Sequence, residues 1–415
     1  MLLRYLSVFF GFLCCFLSAA AEQKTVDVSF YSEILQIDYD SQMDVDFQES
    51  DSPSDAVFQK FYYEMNNANY LMILANLFYY KKELNLNDWF YYLLIRQSAE
   101  TIFSHRSDVY KTLFCWFLLQ KSGYVVQLAY AEKDVSISVF TTDKTYELPS
   151  TQDYPVMIEV VSEKGTSLQK GYYADISIKK SGSKKDTPFA KIAMMPFRIV
   201  TPPNSLKGRP FSFLLDRIPT FNKNETESRK LTFIHDKVLK QIDVNINKTA
   251  IYAMYGYPEL SVEGHTHTPF SPEVNETLIA QLRQMIEGKS DTQAARLLLS
   301  FTRQAMKYQT DRIAYSRDNL TLFAEETLFY KYSDCEDRSI LFYQLVRDLL
   351  ALDVVLVRFP EHVTVGVLFD KPYGKTFEQN NKQYTICDPT GPGNDLDIGE
   401  VPEVFKNVQP TLMTD

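Results

Sequence analysis

The chain has 415 residues, a net charge of −10 at neutral pH and no run of lysine and arginine. That acidic balance argues against a nucleic-acid or anionic-membrane partner, because either selects a basic face. Aromatic residues make up 14% of the sequence, nearly all Tyr and Phe, which belongs to a packed chain long enough for two or three cores.

The opening residues place one basic residue before an apolar run from Tyr5 to Leu17, followed by small residues. This is the layout of a secretory signal peptide with cleavage after Ala20 or Ala21, and the run is short for a membrane span. Residues 1–21 are therefore expected to be removed, leaving an exported protein (periplasmic, cell-surface or secreted) with no membrane span in the mature chain. Cys115, Cys335 and Cys387 then remain, too few and too scattered for a disulfide framework. The sequons at Asn224, Asn247, Asn275 and Asn319 matter only in a glycosylating pathway.

An extended segment at Asp27–Tyr39 and an acidic connector precede an aromatic helical stretch from Ala56 towards Tyr130. The helical stripes there read as core. "VVQLAY", "DVSISVF" and "TYELP" follow as short strand candidates, closing an N-terminal helix-rich α/β domain at 22–150. From Tyr154 to about Val262 the period shortens to two, which predicts a β-rich, sandwich-like domain over 151–268. His265 and His267 alternate on the stretch that follows. They could share a zinc ion, but no third ligand is near, and a polar linker is the preferred reading. Helices return in the domain at 269–415, with Ser290 and Gln293 spaced as a capping box.

Within this last domain, "YKYSDCEDRSILFYQLVRDLL" sets Cys335 among acids at the start of an apolar helix. Ser333 and Glu336 have capping-box spacing, which puts the thiol in the first turn, where the helix dipole lowers its pKa and the neighbouring acids oppose that. His362 is the histidine of this domain; strict alternation in "HVTVGV" puts it on one face with Thr364 and Gly366. In "YTICDP", Asp388 shares a face with Tyr384 and Ile386, and Cys387 points into the core. Adjacent antiparallel strands therefore set Asp388 beside His362. A metal reading of Asp334, Cys335 and Glu336 is set aside, because three neighbouring residues are not expected to converge from one helical turn.

Cys335, His362 and Asp388, in that order and in the contexts "DCEDRSILFYQLVR", "HVTVGV" and "CDPT", resemble the transglutaminase-like superfamily of papain-like thiol enzymes. The resemblance covers roughly Pro272 to Asp415. It departs from the family pattern at Ser333, where Gly is frequent, and at Thr364, where an aromatic is common. It implies an α+β multi-domain protein whose C-terminal papain/transglutaminase-like core packs a nucleophile helix on an antiparallel sheet. It also implies acyl transfer on amide bonds of a protein or peptide substrate through a Cys335 thioester, without a cofactor. His362 would be the base, Asp388 its orienter, and the Cys335 N–H an oxyanion donor, with Tyr332 a weaker one. The alternative is a non-catalytic cell-envelope binding or assembly protein that keeps the fold for its shape.

The N-terminal half invites a second comparison. "LFCWFLLQKSGYVVQLAYAEKDVSISVF" laid beside "LFYQLVRDLLALDVVLVRFPEHVTVGVLF" repeats a buried helix followed by strands. In that register Asp134 falls at His362, Arg106 near Cys335 and Leu148 near Asp388. The expectation is a degenerate copy of the core, against the alternative that any helix followed by three strands would align as well.

Overall fold

A computed structural model describes residues 22–48, 54–131, 134–146, 148, 156–162, 165–176, 198–201, 207–222, 225–316, 320–390 and 396–413. The expected signal peptide lies outside them. Helix takes up 40% and strand 29%, a mixed α+β structure. Among the described residues no helix is long and apolar enough to cross a membrane.

The first half opens with an antiparallel hairpin of β1 (Gln23–Phe30) and β2 (Glu33–Asp40). Its inward residues, Val28, Phe30, Leu35 and Ile37, are buried. Four helices follow: α1 (Asp55–Asn67), α2 (Tyr70–Glu83), α3 (Asp88–Ile102) and α4 (Asp108–Lys121). Side chains of Asn87 and Ser107 cap the last two, accepting from the backbone N–H groups of Phe90 and Tyr110. The aromatic stripes are core, as their spacing requires: Phe90, Tyr91, Phe114, Trp116 and Phe117 are fully buried.

Helix α4 leads into β3 (Val126–Ala131) and β4 (Asp134–Thr141) and packs on both. These join β5 (Val156–Ser162), β6 (Gly165–Asp175), β7 (Arg198–Val200) and β8 (Lys207–Gly208) in one sheet, ordered β7-β3-β4-β6-β5-β8. A bridge from Arg209 back to Tyr124 curls this sheet into a nearly closed barrel.

The second half opens on another hairpin, β9 (Thr226–His235) and β10 (Val238–Asn247), turned by Asp236 and Lys237 with φ of 50° and 64°. Positive φ at both positions is the two-residue turn that matches strand twist. Then come α5 (Lys248–Tyr255), a single turn at Val262–His265, α6 (residues 272–286, with a π segment at Asn275–Ile279) and α7 (Asp291–Ala305). Ser290 and Gln293 make the expected capping box on α7. The two-residue strands β11 (Lys307–Tyr308) and β12 (Tyr332–Ser333) pair in parallel, a single turn spans Asp311–Ala314, and helices α8 (Ala324–Phe329) and α9 (Cys335–Leu350) follow. Helix α9 packs on a sheet ordered β15-β16-β14-β13-β17. Its strands are β13 (Val354–Phe359), β14 (His362–Val367), β15 (Thr376–Gln379), β16 (Lys382–Cys387) and β17 (Thr411–Leu412).

The two sheets share one plan. Reading β13 to β17 against β3 to β7, every neighbour is the same and every pairing is antiparallel. Each is preceded by a buried helix packed on its first two strands. Phe359 pairs with His362 across one turn and Ala131 with Asp134 across the other.

Two expectations need correcting. A boundary at 150 cuts through one sheet, because β3 and β4 pair with strands from the segment assigned to a central sandwich. That segment's last strands, β9 and β10, instead form a separate hairpin against α6 and α7. Alternation revealed strands there, but not which partners their edges would choose. Among the described residues of "TYELP", Thr145 forms an isolated bridge with Leu260 and lies outside the named strands. One core cluster runs from Val28 to Met413, and the Asn87 side chain ties the halves by meeting the Tyr257 hydroxyl.

Candidate functional site

The sequence puts an apolar stripe on α9, and Ile340, Leu341 and Leu345 are fully buried. Burying that stripe fixes where the helix start must lie. Ser339 Oγ donates to Val363 O at 3.1 Å, pinning the first turn of α9 to the start of β14. Cys335 is the first residue of the helix and its sulfur lies against the backbone N–H of Val363. The thiol is therefore held beside the residue that follows His362.

His362 Nε2 meets Asp388 Oδ2 at 3.1 Å. The pairing is a consequence of register: Val365 stands opposite Cys387, so the chain leaving β16 passes the start of β14. Thr364 Oγ1 donates to Cys387 O at 3.0 Å and holds that register. Asp388 is 2% exposed; its Oδ1 accepts from Thr390 N at 2.9 Å, and Arg303 on α7 donates to its carbonyl. Burial alone would raise the Asp388 carboxyl. The hydrogen bond and charge of His362, with the Thr390 contacts, outweigh burial and hold it below the ordinary carboxylate range. Phe405 stacks on the His362 ring at 5.5 Å and 12°. One face of the imidazole is thus fixed by packing and one nitrogen by the carboxylate.

The thiol itself faces elsewhere. Cys335 Sγ donates to Glu336 Oε2 at 2.8 Å. Burial, then the charges of Glu336 and Asp334, raise its pKa far above the ordinary thiol value. The expected lowering by the helix dipole is overturned, because a partial charge at a helix end is outweighed by desolvation and two adjacent carboxyls.

Capping also differs from expectation. Asp334, not Ser333, is the N-cap: its carboxylate accepts from Glu336 N and Asp337 N, and Asp337 reaches back to Asp334 N at 3.1 Å. Ser333 Oγ is committed to Arg338 Nε at 3.0 Å, because that fully buried guanidinium requires acceptors. Arg338 also donates to Met306 O at 2.8 Å. Burial and the mutual repulsion of Asp311, Asp334, Glu336 and Asp337 raise the Asp334 and Asp337 carboxyls.

Contrary to expectation, Asp334, Cys335 and Glu336 do converge at the helix start. One ligand atom from each lies within 4.8 Å of the others, and Asp311, Asp334 and Asp337 form a second such group. The tight turn entering α9 folds the Asp334 side chain over the helix start. Tyr332 sits in a two-residue strand paired with Lys307, its carbonyl accepting from the Tyr315 hydroxyl at 2.7 Å. Cys115 and Cys387 are buried, and burial raises both thiols. His265, expected in a linker, is buried in a helical turn: its Nδ1 contacts Ser261 O and its ring lies 4.4 Å from Phe323. His267 Nδ1 contacts Glu263 O.

Sequence reasoning missed Glu336 as the thiol's partner and Phe405 as the imidazole's. The first was legible as an acid adjacent to the thiol. The second comes from a distant segment with no local signal.

No protein-family model, curated protein or solved structure matches the chain.

Proposed function

We propose that the protein is an exported thiol enzyme of the transglutaminase-like type, performing acyl transfer on amide bonds. The observation that carries this reading is the His362–Asp388 pair, 3.1 Å apart, beside the strand residue that touches the Cys335 sulfur. With Nε2 given to Asp388, Nδ1 is the nitrogen left to take the thiol proton. The Cys335 thiolate attacks the amide carbonyl, and the Cys335 N–H at the helix start donates to the oxyanion. The leaving amine takes its proton from His362, leaving a thioester. Water or a second amine, deprotonated by His362, then releases the acyl group and the thiolate.

The thiol must first leave Glu336, so the described arrangement is a protonated resting state. That same bond favours a second reading, a binding or assembly protein in which the thiol is inert. Incubation with dye-labelled casein and dansylcadaverine separates the two. Peptide release or amine incorporation that vanishes in Cys335→Ala supports the enzyme. Absence of both, with unchanged folding, supports the binding protein.

We further infer that the N-terminal half is a degenerate copy of the same core. The shared strand order and pairing direction support this. Asp134 takes the place of His362, and the α4 start, Arg106 to Asp108, takes that of Cys335, with Arg106 Nε paired to Asp44 at 2.7 Å. Leu148 does not take the place of Asp388. Strand β6 does the work of β16, as Ile176 N donates to Ile137 O, so the position falls just beyond Ile176, outside the described residues. A copy without thiol or imidazole at these places serves packing or binding.

A further inference from the structure

Lys121, the last residue of α4, holds its ammonium among three aromatic rings. Its Nζ lies 5.1 Å from the centre of the Tyr62 ring, 5.1 Å from that of Tyr70 and 5.2 Å from that of Phe117. Each is inside the ~6 Å over which a ring attracts a cation.

Helix geometry assembles this cage. Tyr62 and Asn66 stand four residues apart on α1, and Phe117 and Lys121 four apart on α4, so each pair shares a helix face. The two helices pack together, and the Tyr62 hydroxyl donates to Gln120 Oε1 across them. Tyr70, the first residue of α2, supplies the third ring. Phe117 meets the Tyr62 ring at 5.2 Å and 66°, and the Tyr70 ring at 5.2 Å and 89°. The rings are thus set steeply to one another instead of stacking. Phe117 is fully buried, Tyr70 and Lys121 are half-buried and Asn66 is exposed, so the cage opens to solvent beside Asn66.

A primary ammonium uses such a cage poorly, because it is compact, strongly hydrated and carries three N–H donors. Lys121 donates to Asn66 Oδ1 at 2.5 Å, and burial lowers its pKa. A trimethylammonium group carries the same charge, needs no hydrogen bonds and presents methyl groups to the rings. Placed at the helix end, the lysine stem can swing outward and leave α4 intact. We propose that the rings of Tyr62, Tyr70 and Phe117 bind a small quaternary ammonium compound of the choline type, and that Lys121 occupies the cage until the ligand displaces it. The site is independent of the Cys335 chemistry.

Calorimetric titration of the intact protein with choline chloride tests it, with 3,3-dimethyl-1-butanol, the uncharged isostere, as comparison ligand. The expected result is saturable one-to-one binding of choline and none of the alcohol. Lys121→Ala, which vacates the rings, should tighten choline binding at least tenfold, and Tyr70→Leu in the same chain should remove that gain. Should Lys121→Ala fail to fold, Lys121→Gln must show the tightening instead. No saturable heat from the native protein with choline, equal binding of the alcohol, unchanged affinity without Lys121, or a gain that survives the loss of the Tyr70 ring would overturn the proposal.

Discussion

The Cys335 thiol donates a hydrogen bond to Glu336, its neighbour in sequence, at 2.8 Å. A carboxylate so placed stabilises the thiol and repels the thiolate, and it does so from the helix position where the backbone dipole works in the opposite direction. Whether the site reacts depends on that contact being broken in favour of His362.

Replacing Glu336 by Gln removes the charge and keeps the shape. Alkylation of Cys335 by iodoacetamide near neutral pH, read by peptide mapping, should then rise at least tenfold over the slow native rate. Adding His362→Ala in the same chain should reverse most of the gain. A rate that stays high without His362 would leave the imidazole no part in activating the thiol.

The His362–Asp388 pair predicts a stability signature in acid. A folded-state carboxyl held low contributes stability above its ordinary pKa of about 3.9, and that contribution is lost as pH falls through the depressed value. Asp388→Asn should therefore cost about 1–3 kcal/mol at pH 7 by urea unfolding, as expected for a buried charged hydrogen bond. The difference from the native protein should shrink in strong acid. A pH-independent difference would mean that the carboxylate charge contributes nothing.

Glu325 predicts the reverse. It is buried, and burial pushes its carboxyl up to about 7 despite the Ser271 N–H, with Glu273 adding to the rise. A raised carboxyl favours folding below its ordinary value and opposes it increasingly as pH climbs towards the folded one. Glu325→Gln should thus melt progressively higher relative to the native protein between pH 5 and pH 8. A constant offset in melting temperature across that range would contradict the assignment.

Gly366 sits in mid-strand where a Cβ would come within 3.0 Å of both Tyr384 Cβ and Val355 Cγ2. Its neighbours belong to β13 and β16, the strands on either side, so an added methyl presses on the register that delivers Asp388. Gly366→Ala should cost about 1–3 kcal/mol in denaturant unfolding. Unchanged stability would show that the sheet relaxes more freely than its packing implies.

What could be read in advance follows from the range of each interaction. Period-two alternation in "HVTVGV" and "YTICDP" is local, and the strands form where it predicts, with His362 and Asp388 on meeting faces. The α7 cap is equally local. The α9 cap was misplaced by one residue because the choice between Ser333 and Asp334 is decided by Arg338, whose burial is a tertiary fact. The sign of the Cys335 shift was misjudged for the same reason: the dipole is legible in sequence, whereas desolvation is not. The central strands were recognised singly, but their division between a curled sheet and a hairpin depends on pairings more than sixty residues apart, such as β3 with β7. The parallel plan of the two halves was only partly visible, since Asp134 aligned with His362 while the third strand did not align.

The central claim is that Cys335 accepts an acyl group with His362 as its base. Its most direct measurement is the mass and peptide map of intact protein incubated with p-nitrophenyl acetate, quenched in acid to preserve thioesters. The account predicts one acetyl group on Cys335, with none on Cys115 or Cys387, and its loss in His362→Ala. An unmodified Cys335, or acetylation as fast without His362 as with it, would contradict the account.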